Sequence, residues 1–213
     1  MEKIYFDDET YIWRTKFDIS DFKDGVLDEC FQVMESLGDV PGDNFGYLRE
    51  WNDLNFTGEI IPNAKLDFIA KFGVDRCIEL FDTTDIPYNK VNTDAWVNVV
   101  RAINPKQHNF KKSNEIEFHN HIYLNELNKM FVPTYTYVHY IQMPDNLEGN
   151  DGVLYIEGRN KEIYHILPQE NDVIIMESGV PHVPASSYKS TKDRIVFAGN
   201  VGFDLIKKEK SLI

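Results

Sequence analysis

The sequence predicts a mainly β protein with N-terminal helices: a jelly roll, the double-stranded β-helix of cupin-like proteins. Three observations lead there. From Thr93 onward, short β-rich runs alternate with turn residues, and eight such runs at this spacing indicate a sandwich or barrel. Helical periodicity is confined to the residues before Thr93, so helices and strands are not woven into βαβ units. The 213 residues are 42% hydrophobic and include 14 Phe and 11 Tyr, enough for a sizeable core. One domain over 1–213 is expected. It comprises a helical and irregular elaboration (1–92), a jelly-roll core (93–203) and a tail (204–213).

Residues 1–19 read as an extended segment through Ile4, Phe6, Tyr11, Ile12, Trp13 and Phe17. A helix follows: Ser20 or Asp21 can cap it, Val26, Leu27, Cys30, Phe31, Met34 and Leu37 recur at helical spacing, and Gly38 ends it. Residues 38–61, rich in Gly, Asp and Asn, read as an irregular region anchored by aromatics. A second helix opens at Pro62 and Asn63 and runs through Ile69, Ala70, Cys77 and Leu80, with Gly73 expected to weaken or split it. The strands are placed at 95–103, 115–123, 133–142, 152–157, 162–167, 172–177, 181–185 and 193–203. Asn104-Pro105, Pro144-Asp145-Asn146, Gly158-Arg159-Asn160 and Ser178-Gly179 are among the turns between them.

Composition narrows the function classes. A net charge of −13 disfavours duplex nucleic acid and anionic membranes as partners. The locally basic stretches at Lys106–Lys112 and Lys207–Lys210 read as a solvated loop and tail. Cys30 and Cys77 fall on helices and form no Cys-x-x-Cys, so two free thiols in a reducing cytoplasm are expected. No apolar run reaches membrane-span length, and the acidic N-terminus lacks the apolar core of a signal peptide.

The stretch that carries chemistry is Glu115 to Tyr123. It alternates polar and apolar residues, so His119 and His121 share one strand face, where two imidazoles can grip one metal ion. A third histidine, His182, follows His121 by 61 residues. It sits between Pro181 and Pro184, at what reads as a sheet rim. Twelve residues further on, Arg194 opens the apolar strand Ile195-Val196-Phe197-Ala198 and is placed to face the same cavity. His108 sits in the basic loop, and His139 and His165 lie mid-strand, where core or rim roles are commoner than metal ligation.

This order and spacing resembles the non-haem iron, 2-oxoglutarate-dependent oxygenases, in particular a branch common in marine phages and bacteria. The matching pieces are Ala95-Trp96-Val97-Asn98, His119-Asn120-His121, Tyr137-Val138-His139-Tyr140-Ile141, Asp151-Gly152-Val153-Leu154-Tyr155, Pro181-His182-Val183, and Arg194 with Asn200. They cover roughly residues 93–203, about half the chain; the N-terminal region adds no motif. The resemblance implies Fe(II) held by His119, His121 and His182, and 2-oxoglutarate as co-substrate with its far carboxylate on Arg194. It further implies an unknown substrate, small molecule or protein, hydroxylated with release of succinate and CO2. The same setting implies the cytoplasm of a bacterium or of a phage-infected host. Tyr137 and Tyr140 face opposite sides of their strand, and the resemblance favours Tyr140 as the second group on the carboxylate.

One departure stands out. Most of the superfamily carries His-x-Asp, whereas His121 here occupies the carboxylate's place. Glu117, on the same strand face, is the alternative third ligand. Two other functions compete: a three-histidine cupin-type dioxygenase that does not use 2-oxoglutarate, and a catalytically silent jelly-roll binding or assembly module. The contiguous letters His-Asn-His are not the nuclease motif of that name, whose residues are spread over a ββα unit. Oligomeric state is open; a homo-oligomer is compatible with the sequence.

Overall fold

The computed structural model describes residues 1–36, 45–51, 65–100, 118–122, 133–185, 187 and 189–206. Strands β1 (Glu2–Tyr5) and β2 (Tyr11–Lys16) come first, followed by a 3-10 turn at Ser20–Phe22 that leads into helix α1 (Lys23–Ser36). Strand β3 (Phe45–Trp51), helix α2 (Lys65–Asp82) and strand β4 (Tyr88–Val100) come next. The remaining strands are β5 (Tyr135–Gln142), β6 (Leu154–Glu157), β7 (Ile163–Ile166), β8 (Asp172–Glu177), β9 (His182–Pro184) and β10 (Arg194–Leu205). They form a seven-stranded sheet in the order β1-β2-β8-β5-β10-β4-β3 and a three-stranded sheet in the order β7-β6-β9. All pairings are antiparallel. Two sheets with helices on one side is the jelly-roll arrangement expected from the sequence.

Alternation along the large sheet separates two cores. Val97, Val99, Tyr135, Tyr137, Ile175 and Phe197 pack with Ile69, Ala70, Val74 and Cys77 of α2. The residues between them, including Val138, Tyr140, Ile174, Met176, Val196 and Ala198, face the small sheet and meet Leu154 and Ile156 of β6. This second, inner core is the one that borders the site.

The N-terminal half departs from expectation in three places. The extended segment 1–19 is a hairpin that completes the large sheet, with β2 on β8. Arg14 ties it there by an ion pair to the fully buried Asp172. Residues 45–51, read as irregular, pair with β4; a strand taken up by an open sheet edge needs no apolar period of its own. Gly73 does not split α2, which is continuous. A Cβ at Gly73 would lie 2.4 Å from the ring of Tyr137, so its glycine lets the helix backbone lie directly on that ring. The start of α2 is capped from outside: the Glu29 carboxylate accepts the N–H groups of Lys65 and Leu66 at 2.9 and 3.0 Å. Among the described residues no helix is long and apolar enough to cross a membrane.

Of the predicted strand 115–123, residues 118–122 are described, and they make one isolated bridge, His119 to His182, rather than a ladder. Glu115, Glu117, Tyr123 and His108 lie outside the described residues.

Candidate metal centre

The bridge builds the site. The His119 N–H donates to the His182 carbonyl at 3.1 Å, and the His182 N–H donates back to the His119 carbonyl at 2.9 Å. Residues that exchange both bonds lie directly opposite and project to the same side, so the two rings stand 4.7 Å apart. His121 is brought in two residues later, its N–H donating to the Ser178 carbonyl at 2.8 Å. The turn from Ser178 to Pro181 therefore seats two of the three histidines.

One ring nitrogen from each of His119, His121 and His182 lies within 4.8 Å of the others. The Nε2 atoms of His121 and His182 are 3.3 Å apart, the spacing of neighbouring ligands on one ion, given metal–imidazole bonds of about 2.0–2.1 Å. His182 is also oriented. Its Nδ1 lies 3.0 Å from the Val180 carbonyl, and a carbonyl only accepts, so Nδ1 carries the proton and Nε2 presents its lone pair. Trp96 stacks on His121 with ring centres 5.3 Å apart. Burial, and then the neighbouring His182 and His119, push His121 down to about 3. Burial likewise lowers His182 to about 4, although its bond to Val180 opposes this. Both imidazoles are therefore neutral at neutral pH, the form that binds a metal. Three clustered imidazole nitrogens suit a divalent first-row ion such as iron.

Arg194 opens β10 on the inner-core side. It is 2% exposed, and its Nη1 donates to the Ala185 carbonyl at 3.3 Å, while its buried Nε has no hydrogen-bond partner among the described residues. Burial draws its pKa down to about 10, against the opposing influence of Tyr140. Tyr140 is as deeply buried, and burial pushes its phenol up while Arg194 opposes this. The register relates them to the histidines: Trp96 pairs with Ala198, Val196 with Tyr140, and Arg194 with Val100. From the Trp96 rung to Arg194 is four residues along β10, on the order of 13 Å. A buried cation with an unfilled donor is an anion site in waiting, so the donor set fits both a metal and a carboxylate ligand.

Tyr137 stands on the helix side of the sheet, over Gly73, on the face opposite to Tyr140, as strand parity requires. His139 also turns to that side, its Nε2 3.2 Å from the Phe17 carbonyl, and His165 packs beside Tyr155 on β7. Sequence reasoning gave no role to Trp96, to the Val180 carbonyl or to the Ser178 carbonyl. Only Trp96 had a signal, its place in the matching piece Ala95-Trp96-Val97-Asn98; backbone carbonyls carry none.

No protein-family model and no curated protein matches the sequence. Solved structures do. A prolyl-4-hydroxylase from Pseudomonas putida aligns over 92% of this chain and 93% of its own, at 12% identity and a TM-score of 0.54. The viral collagen prolyl hydroxylase of Paramecium bursaria Chlorella virus-1, solved as its 2OG complex, aligns over 94% and 98%, at 14% identity and a TM-score of 0.52. The chain has their fold. At more than nine-tenths of the chain, the match reaches well beyond the 93–203 stretch where the sequence motifs lie.

Proposed function

We propose that this protein is a non-haem Fe(II), 2-oxoglutarate-dependent oxygenase that hydroxylates its substrate. The observation that carries the reading is the pairing of three clustered histidine nitrogens with a buried, incompletely satisfied Arg194 on the same inner face. The fold shared with two prolyl hydroxylases supports it. His119, His121 and His182 would hold the iron, and Arg194 the far carboxylate of 2-oxoglutarate, with Tyr140 beside it. Bound there, iron and 2-oxoglutarate supply an oxidation in which O2 converts 2-oxoglutarate to succinate and CO2 and places one oxygen on a substrate C–H.

The chain's own residues account for the rest. Val180 fixes which nitrogen of His182 faces the cavity. Trp96 limits rotation of His121. Arg194, held at Ala185, offers a planar fork that fits a carboxylate bidentately. The apolar residues Val138, Val196 and Ala198 keep water from the interior between the two ends. A three-histidine dioxygenase that ignores 2-oxoglutarate is favoured by a ligand cluster that is all histidine among the described residues, but it leaves Arg194 without a purpose. Anaerobic titration with Fe(II), with and without 2-oxoglutarate, separates the two. A new visible charge-transfer band that needs both components, followed by succinate formation in air, is expected. Iron binding that 2-oxoglutarate leaves spectroscopically unchanged would favour the second enzyme.

A further inference from the structure

A cleft of about 600 Å3 flanks the metal centre, within the size range of ligand pockets. Ile122 and Val180 both line it. Ile122 follows His121 directly, and Val180 is the residue whose carbonyl orients His182. A molecule held in the cleft therefore touches the two segments that seat the metal ligands.

Its charged lining is unevenly matched. Arg159 and Glu9 pair at 3.7 Å, and Lys161 and Glu157 at 2.5 Å. Glu177 is different: it is partly buried, accepts the Tyr11 hydroxyl at 2.8 Å, and has no cationic partner within 4.0 Å among the described residues. With the other four charges paired, the cleft's net charge rests on this carboxylate. Tyr11 and Tyr135 flank it in the lining, and aromatic faces attract cations. Tyr11 already does so, with the Lys3 ammonium 3.5 Å from its ring centre. Ile122, Val180 and Pro181 supply apolar surface, the lining that suits an aliphatic stem.

We propose that this cleft binds a cationic nitrogen carried on an apolar stem, a lysine-type side chain of a polypeptide or a free alkylamine, with Glu177 accepting it. The binding stands on the cleft alone; its meaning as substrate recognition rests on the oxygenase reading. Partial burial makes the Glu177 contact a hydrogen bond to a charged group, worth about tenfold or more in affinity.

Calorimetry on the full chain tests this with three probes: a short glycine-flanked lysine peptide, its norleucine counterpart and n-pentylamine. The lysine peptide should bind about tenfold or more tighter than the norleucine peptide. Glu177→Gln, which keeps the shape and can still accept from Tyr11, should bring the two within about threefold. Binding of n-pentylamine as tight as the lysine peptide assigns the site to small amines, and weaker binding assigns it to polypeptide. Equal affinity of the lysine and norleucine peptides for the unmodified protein overturns the proposal, and that comparison needs no variant to fold. Selective binding of the cation without any succinate formation would keep the cleft and remove the oxygenase reading.

Discussion

Replacing Arg194 by methionine should make the protein more stable and less able to respond to 2-oxoglutarate. The guanidinium is fully buried, and burial brings its pKa from an ordinary 12.5 to about 10. At 1.36 kcal/mol per pKa unit, holding it charged inside the fold costs roughly 3 kcal/mol. Methionine fills similar length without charge and forfeits the bond to the Ala185 carbonyl, about 1 kcal/mol. The net is a gain of about 2 kcal/mol, and for a chain of this size each kcal/mol moves Tm by about 2–4 °C. The ligand response moves the other way. At about 100 times its Kd, 2-oxoglutarate with a redox-inert divalent metal should stabilise the unmodified protein by about 2.7 kcal/mol. Losing a desolvated charge partner costs on the order of 2–5 kcal/mol of binding. A loss near the lower end weakens affinity by about 30-fold, leaving about 0.8 kcal/mol of stabilisation at the same ligand concentration. Thermal unfolding of both proteins with Mn(II), with and without 2-oxoglutarate, measures both effects. A variant that melts lower yet keeps the full ligand shift would show that Arg194 is a structural fork, and the anion-site argument would fail.

Three further outcomes follow from the same structure. His182→Ala and His121→Ala should each weaken Co(II) or Fe(II) binding by at least about 100-fold, the upper end of what is lost when merely a group that orients a metal ligand is removed, whereas His121→Asp should retain one ion per chain; undiminished metal content in both alanine variants would dissolve the triad. Burial lowers His139 to about 4, against the opposing bond to Phe17 and the nearby Asp172. Its folded-state pKa lies below the unfolded value of 6.5, so the stability it contributes is complete above pH 6.5 and is lost as pH falls through about 4. His139→Gln should therefore lose on the order of 3 kcal/mol less than the unmodified protein between pH 7 and about pH 4, read from urea melts. Gly73→Ala gains about 1 kcal/mol of helix propensity but drives a methyl to 2.4 Å from the Tyr137 ring, an overpacking cost of about 1–3 kcal/mol. The variant should melt lower, and Tyr137→Leu should relieve part of the loss; a stabilised Gly73→Ala would mean that helix and sheet do not meet there.

Much of the jelly roll was legible because short β-rich runs are set off by turn residues. Period two in 135–142, 172–177 and 194–205 sets apart a helix-facing and an inward face. The same parity put Tyr137 and Tyr140 on opposite faces; which of the two points inward was taken from the family resemblance, and the packing agrees with it. The spacing of His119 and His121 also placed their side chains on one side of the chain by backbone geometry alone. Long-range pairing is another matter. That His119 bridges His182, that Ser178 and Val180 hold the histidine pair, and that a hairpin from residues 2–16 completes the large sheet all depend on backbone hydrogen bonds between distant segments. Backbone groups are the same in every residue, so such bonds leave no mark in the sequence. Gly73 reads as a helix weakness until Tyr137 is seen lying against it, and the depth at which Arg194 is buried shows only in the fold. The residue types and their faces were set locally by the chain; which of them meet, and how dry the meeting place is, was decided only by the packing of two sheets and a helix layer.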